Sequence, residues 1–264
     1  MNRIDTQSGS NDWSVPSYWP ALSGAETHVW AVDVEVDAPR LEALEQLLSG
    51  DEIARANRFH FERDRARFVA ARGQLRTILG RYANLAPASL RFAYSAFGKP
   101  SLSPSMGVER LRFNASGSDA IALVAARLDA DVGIDIERIR SMPDALAISK
   151  RLLTVEEHNE LTSLPEELRN TRFFQYWARK EALVKLLGKG LWQSLQSFSL
   201  HPWSAEHAQR VTIGQDGTTV TQWVIPITAP RKDFVAALAT VAPIGALRCW
   251  TLDALLEQGR QLGR

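Results

Sequence analysis

The sequence predicts an α+β fold in which the order strand, helix, strand, strand occurs twice. Three observations lead there. Short apolar runs with strand alternation recur from His28 to Trp250. Two long stretches, Asp64 to Tyr82 and Glu166 to Leu187, carry apolar residues at helical spacing. The length of 264 residues allows one large domain or two small ones, and the repeated pattern divides near Asp129 to Asp131.

The elements follow in chain order. Residues 1–12 are polar and read as a frayed terminus, with no apolar signal-peptide core. His28 to Val36 alternates Val and Ala with polar residues and reads as a strand. Leu41 to Leu48 is a short helix, and Asp51 to His60 a second with Asp51 as its N-cap. Asp64 to Tyr82 follows, with Phe68, Leu75, Ile78 and Leu79 as its buried stripe. Gly98 and Pro100 make Phe97 to Pro100 a turn. Leu111 to Asn114 and Ala120 to Arg127 read as strands around a Ser116-Gly117-Ser118 turn, and Val132 to Ile136 as another. Thr154 and Glu157 form a capping box. Glu166 to Leu187 is a long helix stopped by Gly188 and Gly190. Phe198 to Leu200, Val211 to Ile213, Thr219 to Ile225, Phe234 to Thr240 and Leu247 to Trp250 read as strands.

Composition narrows the function. Hydrophobic residues at 45% and charged residues at 23% match a globular chain and exclude disordered and fibrous classes. Thirty-one basic against 30 acidic residues leave a net charge of +1, which disfavours a nucleic-acid binder. The single cysteine, Cys249, rules out an internal disulfide and a four-cysteine zinc site. The longest uncharged apolar run, Ala120 to Ala126, is far short of the ~20 residues of a membrane span. These features read as a cytoplasmic chain without membrane partners.

Two segments carry chemistry. In Gly133-Ile134-Asp135-Ile136-Glu137, strand alternation puts both carboxylates on one face and both isoleucines in the core. Paired carboxylates are half a site for a hard cation such as Mg2+. They also fit an acidic strand face paired with Arg138 and Arg140. In the second segment, Trp177, Glu181, Val184 and Lys185 share one side of a helix anchored by Phe173 and Phe174. Glu181 suits a metal ligand or base and Lys185 a phosphate contact; an ordinary i, i+4 ion pair has the same spacing. Gly188-Lys189-Gly190 lacks the Ser or Thr and the glycine spacing of a phosphate-binding loop of the Walker type. Arg55, Arg58, Arg63, Arg65, Arg67, Arg72 and Arg76 crowd one stretch with interleaved acids. This predicts a salt-bridged face with one or two arginines left for a ligand.

Taken together, Gly98-Lys99-Pro100, Phe113-Asn114-Ala115-Ser116, Gly133 to Glu137, and Trp177 through Lys180-Glu181-Ala182 to Lys185 resemble, in order and spacing, the surfactin-synthetase-activating type of 4′-phosphopantetheinyl transferase. The resemblance spans about residues 50 to 240. It implies two similar pseudo-twofold-related halves, 13–129 and 130–264, each a small antiparallel sheet packed with helices. The first half would take the adenine and 3′-phosphate side of coenzyme A, and the second the metal and catalytic acids. The implied reaction moves the phosphopantetheine arm of coenzyme A to a serine of an apo acyl or peptidyl carrier protein and releases adenosine 3′,5′-bisphosphate. The chain would act as a monomer.

The same resemblance implies residue roles. Asp135, Glu137 and Glu181 match the Mg2+ ligands, and Glu181 also the base for the incoming serine. Lys185 matches the pyrophosphate contact, Lys99 and Pro100 the turn beside the adenine and 3′-phosphate, Ser116 the serine of the phosphate turn, and Arg55 a further 3′-phosphate contact. One position departs: Gly117 stands where the family usually has His. Either a glycine-containing turn supplies backbone N–H groups instead, or the chain is a degenerate, non-catalytic binder of carrier protein or coenzyme A. A Mg2+-dependent nuclease fits less well, because such sites place Glu and Lys two apart on a strand.

Overall fold

The computed structural model describes residues 13–24, 26–188, 195–205, 207–215, 218–241 and 244–252. Each half of the pattern opens on a strand that is almost wholly buried. Strand β1 (Glu26–Asp33) leads through helices α1 (Ala38–Glu45) and α2 (Gly50–Ala56) to the long helix α3 (Glu62–Ala83). A small hairpin, β2 (Phe92–Tyr94) and β3 (Pro100–Leu102), precedes the hairpin of β4 (Leu111–Ser118) and β5 (Ile121–Leu128). The second half opens on β6 (Val132–Arg138) and passes through α4 (Ala145–Leu152) and α5 (Val155–Ser163) to the long helix α6 (Glu166–Leu187). It ends in β7 (Gln209–Gln215), β8 (Thr218–Ile227), β9 (Phe234–Thr240) and β10 (Ala246–Thr251).

The duplication is topological. The first sheet runs β10-β1-β5-β4 and the second β6-β9-β8-β7. In both, the opening strand pairs with the last strand of the following hairpin, as in Val29 opposite Ala125 and Ile134 opposite Leu238. The long helices α3 and α6 hold the same place in each half and both span 22 residues. The pairings are antiparallel except that β10 returns from the second half and runs parallel to β1. The first sheet therefore draws its edge strand from residues beyond 130.

Three apolar clusters hold these layers together. One lies under α3, with Trp30, Ile78, Leu79 and Val124. One lies under α6, with Phe173, Tyr176, Leu183 and Ala239. The third joins the two sheets face to face through Val29, Leu123, Ile134, Ile136 and Leu238. Where β4 runs beside β6, side chains replace the missing backbone ladder. Asn114 Oδ1 accepts from Ile134 N at 3.0 Å, and Ser118 Oγ accepts from Arg138 N at 3.1 Å. The buried Ile134 amide must find a partner and finds it across the junction between the halves, as does the exposed Arg138 amide.

Several local expectations shift. Helix α1 begins earlier than the apolar pattern suggests, because Asp37 caps it by accepting from Arg40 N at 2.9 Å. Ser49, not Asp51, caps α2, in a capping box with Glu52. Phe68 is half-buried, whereas Leu75, Ile78 and Leu79 are buried as expected. Ser116, Gly117 and Ser118 form no turn. They continue β4, with Gly117 opposite Ala122, and the chain reverses at Asp119, whose φ is 52°. Asp tolerates that left-handed backbone, while the serines are drawn into the strand by partners on β6. Phe198 to Leu200 is not a strand: Phe198 and Leu200 are buried core residues on an irregular loop. The capping box at Thr154 and Glu157 is present. Gly188 stops α6 in the left-handed conformation at φ 67°, while Lys189 and Gly190 lie outside the described residues, as do residues 1–12. No helix among the described residues is long and apolar enough to cross a membrane.

His28 is buried, and its Nδ1 lies 2.7 Å from Tyr82 Oη. Burial depresses its pKa to about 4, with the nearby Glu26 carboxylate opposing. The unfolded chain thus binds a proton that the folded one refuses between about pH 6.5 and 4, and stability falls as pH drops through that window. The His28→Gln protein is expected to lose about 2 kcal/mol less than the parent between pH 7 and 4.5, measured by urea unfolding. Equal losses in both would contradict a neutral buried His28.

Candidate active site

Strand β6 carries Asp135 and Glu137 on one face, while Ile134 and Ile136 are fully buried on the other. The helix that covers β6 is α6, and its approach is set by a glycine. A Cβ at Gly133 would overlap the backbone of Ala182 and Leu186, with Leu186 Cα only 2.9 Å away. Ala182 and Leu186 directly follow Glu181 and Lys185. The same contact therefore brings both functional side chains of α6 to the height of Asp135.

The resulting network crosses both halves. Lys185 Nζ donates to Asp135 Oδ1 at 2.6 Å and to Ser116 Oγ at 2.7 Å. Ser116 Oγ donates in turn to Asp135 Oδ1 at 2.8 Å. One serine from the first half thus links an acid and a lysine of the second. Asp135 is only 3% exposed, which excludes the reading of β6 as a solvated acidic face. Glu137 is held by Ser118 Oγ at 3.1 Å and by Trp177 Nε1 at 3.1 Å. Arg138 turns away to Asp119 and Asp233, and Arg140 lies over Phe174.

A cleft of about 280 Å³ opens beside this network. It is lined by Phe97, Lys99 and Pro100 at the start of β3, by Asn114 and Ala115 of β4, and by Glu181 and Lys185 of α6. Lys99 Nζ reaches across to the C-terminal end of α6 and donates to Leu186 O at 2.8 Å, where a cation meets the negative end of the helix dipole. Burial lowers the Lys99 pKa from its usual value.

The carboxyl groups are electrostatically unsatisfied. Burial raises the pKa of Asp135 against the pull of Lys185 and Ser116. Burial, then the charge of Asp135, raises Glu137. The same two causes raise Glu181, with Lys185 opposing. Asp135 Oδ2 and Glu181 Oε1 are buried with no hydrogen-bond partner. The two orphaned oxygens, one on Asp135 and one on Glu181, fit a hard divalent cation in donor type. Among the described residues, no three acidic or histidine side chains converge closely enough to hold an ion as they stand.

The predicted residues therefore divide. Asp135, Ser116 and Lys185 meet directly, and Glu181, Lys99 and Pro100 line the adjoining cleft. Gly117 is exposed within β4, so the expected glycine turn with its N–H cradle is absent. Arg55 is exposed on α2 with its guanidinium 5.3 Å from the Phe68 ring centroid, and it does not line the cleft. Of the crowded arginines, Arg65, Arg67, Arg72 and Arg76 pair with Glu45, Glu35, Glu52 and Glu52 respectively. Asn114 and Ser118 belong to the site beyond the residues predicted from sequence: Asn114 lines the cleft and Ser118 holds Glu137. The signal for Ser118 was available, since it shares a strand face with Ser116.

Acids and lysines around one cleft are the side-chain types that suit a phosphorylated ligand and a cation. Two family models match, the 4′-phosphopantetheinyl transferase superfamily over residues 131–239 and the N-terminal region of 4′-phosphopantetheinyl transferase over residues 37–129. The chain is 36% identical to the 4′-phosphopantetheinyl transferase HetI of a Nostoc species, over 83% of this chain and 89% of that one. It is 35% identical to the transferase psf-1 of Bacillus pumilus over 61% of this chain and 66% of that one, and 27% identical to Sfp of Bacillus subtilis over 60% and 68%. The chain belongs to the 4′-phosphopantetheinyl transferase family and is a transferase of that kind.

Gly133→Ala is expected to lower unfolding stability by about 3 kcal/mol, because backbone lies where the methyl must go. Urea unfolding measures it, and a loss under about 1 kcal/mol would show that α6 does not rest on β6.

Proposed function

We propose that the chain transfers the 4′-phosphopantetheine arm of coenzyme A to the serine hydroxyl of an apo acyl or peptidyl carrier protein. The observation that carries this reading is the Lys185–Asp135–Ser116 network beside Glu181 in one cleft, in a chain of this family. Coenzyme A brings a pyrophosphate and a 3′-phosphate, so its site must offer cations. Lys185 meets the pyrophosphate as a point charge, and Lys99 serves the nucleotide end beside Pro100. The half formed by residues 13–129 takes the adenine and 3′-phosphate, and the half formed by 130–264 supplies the acids. Both walls of the cleft come from one chain, so a monomer suffices.

Asp135, Glu181 and Glu137 would hold Mg2+, which when bound neutralises the pyrophosphate oxygens. Glu181 accepts the proton of the carrier serine, directly or through one water. The serine oxygen bonds to the phosphorus that bears pantetheine, the bond from that phosphorus to the bridging pyrophosphate oxygen breaks, and adenosine 3′,5′-bisphosphate departs. Ser116 and Asp135 hold the Lys185 ammonium in place, and Ser118 and Trp177 fix Glu137.

Intact mass spectrometry tests the reading directly. Incubation of an apo carrier protein with this chain, coenzyme A and Mg2+ is expected to add one phosphopantetheine mass, and Glu181→Ala is expected to abolish the gain. No gain across several carrier types, with folded enzyme and saturating coenzyme A, would favour the degenerate-binder reading that Gly117 suggests. Residue 117 has room for a side chain, since a Cβ there would lie 3.4 Å from Ala122 Cβ, and it shares a strand face with the cleft-lining Ala115. Gly117→His is therefore expected to tighten coenzyme A binding by at least about tenfold, the worth of one charge-assisted hydrogen bond. Unchanged or weaker binding by calorimetry would contradict it.

A further inference from the structure

Helix α6 has a second polar face. Gln175 and Arg179 lie one turn apart on the side opposite Trp177, Glu181 and Lys185. With Ala205, Thr228 and Ala229 they line a separate cavity of about 330 Å³, larger than the cleft at Lys185. The proposed transfer reaction uses none of these residues.

Arg179 is the unusual member. It is 3% exposed and packs over the Trp203 ring, 3.9 Å from its centroid. Its Nη1 donates to Ser204 O and Gln209 Oε1, both at 2.6 Å, and its Nη2 to Ala205 O at 3.1 Å. All three acceptors are neutral. A guanidinium has five N–H donors, so these bonds leave donors over. Among the described residues no carboxylate pairs with Arg179. Burial, with repulsion from Arg172 added, pulls the Arg179 pKa down to about 10. A buried charge without a counter-charge is costly, and proteins seldom keep one without a partner. Gln175 adds a donor. Its Oε1 accepts from Arg172 Nε at 3.2 Å, which leaves its amide N–H groups for a ligand.

We propose that this cavity is a binding site for a small oxyanion, a carboxylate or a phosphate, seated against the remaining N–H groups of Arg179 and the amide of Gln175. The guanidinium fork matches either group. The three bonds from Arg179 to Ser204, Ala205 and Gln209 hold it ready without rearrangement.

The test is calorimetric titration of the full chain with succinate and with inorganic phosphate at constant ionic strength. The Lys185→Met protein is titrated in parallel, because the cleft at Lys185 also attracts anions. One saturable site for at least one of the two anions is expected in both proteins, and the preferred anion identifies the ligand class. Gln175→Leu and Ala229→Trp are each expected to weaken that site by at least about tenfold. Both leave the loop contacts of Arg179 in place, and matched thermal unfolding checks the fold. No saturable site in the parent, or a site that survives both substitutions or vanishes with Lys185→Met, would overturn the proposal. So would binding that appears only in Glu206→Gln, since Arg179 would then be neutralised by the chain's own neighbouring acid.

Discussion

Backbone contact between α6 and β6 at Gly133 is the constraint on which the site depends. A side chain at residue 133 would hold the helix off the strand, because Ala182 and Leu186 backbone atoms occupy its space. With no side chain there, Lys185 spans the remaining gap to Asp135, and Glu181 reaches the cleft one turn earlier. The first half uses a related device for another purpose. Gly73 on α3 meets Leu44 of α1, which packs two helices rather than building a site. Close packing without a side chain thus serves stability in one half and chemistry in the other.

Two acid–lysine arrangements on α6 show where stability gives way to function. Lys180 and Glu157 are both fully buried and 2.8 Å apart. Lys180 also donates to Leu195 O and Phe198 O, and Glu157 accepts from Thr154 N and Leu200 N. Every strong donor and acceptor of that pair is used, so it locks the loop after α6 onto α5. Five residues on, Lys185 and Asp135 form a pair that is left incomplete. Asp135 Oδ2 and Glu181 Oε1 have no partner; burial raises the pKa of all three carboxyl groups, and the charge of Asp135 adds to it at Glu137 and Glu181. Natural folds tolerate such unsatisfied polar groups chiefly where a ligand completes them.

Legibility from sequence followed the range of the interactions. The long helices stood out because 22 residues give several turns of apolar spacing, and β5 and β6 because they are buried runs of branched and small residues. The hairpin of β2 and β3 escaped because three residues per strand show no alternation. Helix α4 escaped because eight residues give only about two turns of apolar spacing. The Ser116 to Ser118 segment misled for a different reason. Its composition is that of a turn, yet its hydroxyl groups have partners on a strand 19 residues away. Both carboxylates of β6 on one face, and Glu181 with Lys185 on one side of α6, were visible from spacing alone. That these two sets meet was not, since Asp135 and Lys185 are 50 residues apart and only the resemblance joined them.

The central claim is that the Asp135–Lys185 cleft is a coenzyme A site whose acids need a divalent cation. Calorimetric titration of coenzyme A into the protein, with and without Mg2+, addresses it most directly when repeated on Asp135→Asn. The account predicts binding that Mg2+ strengthens in the parent and fails to strengthen in the variant. Coenzyme A binding of equal affinity in all four titrations would contradict it.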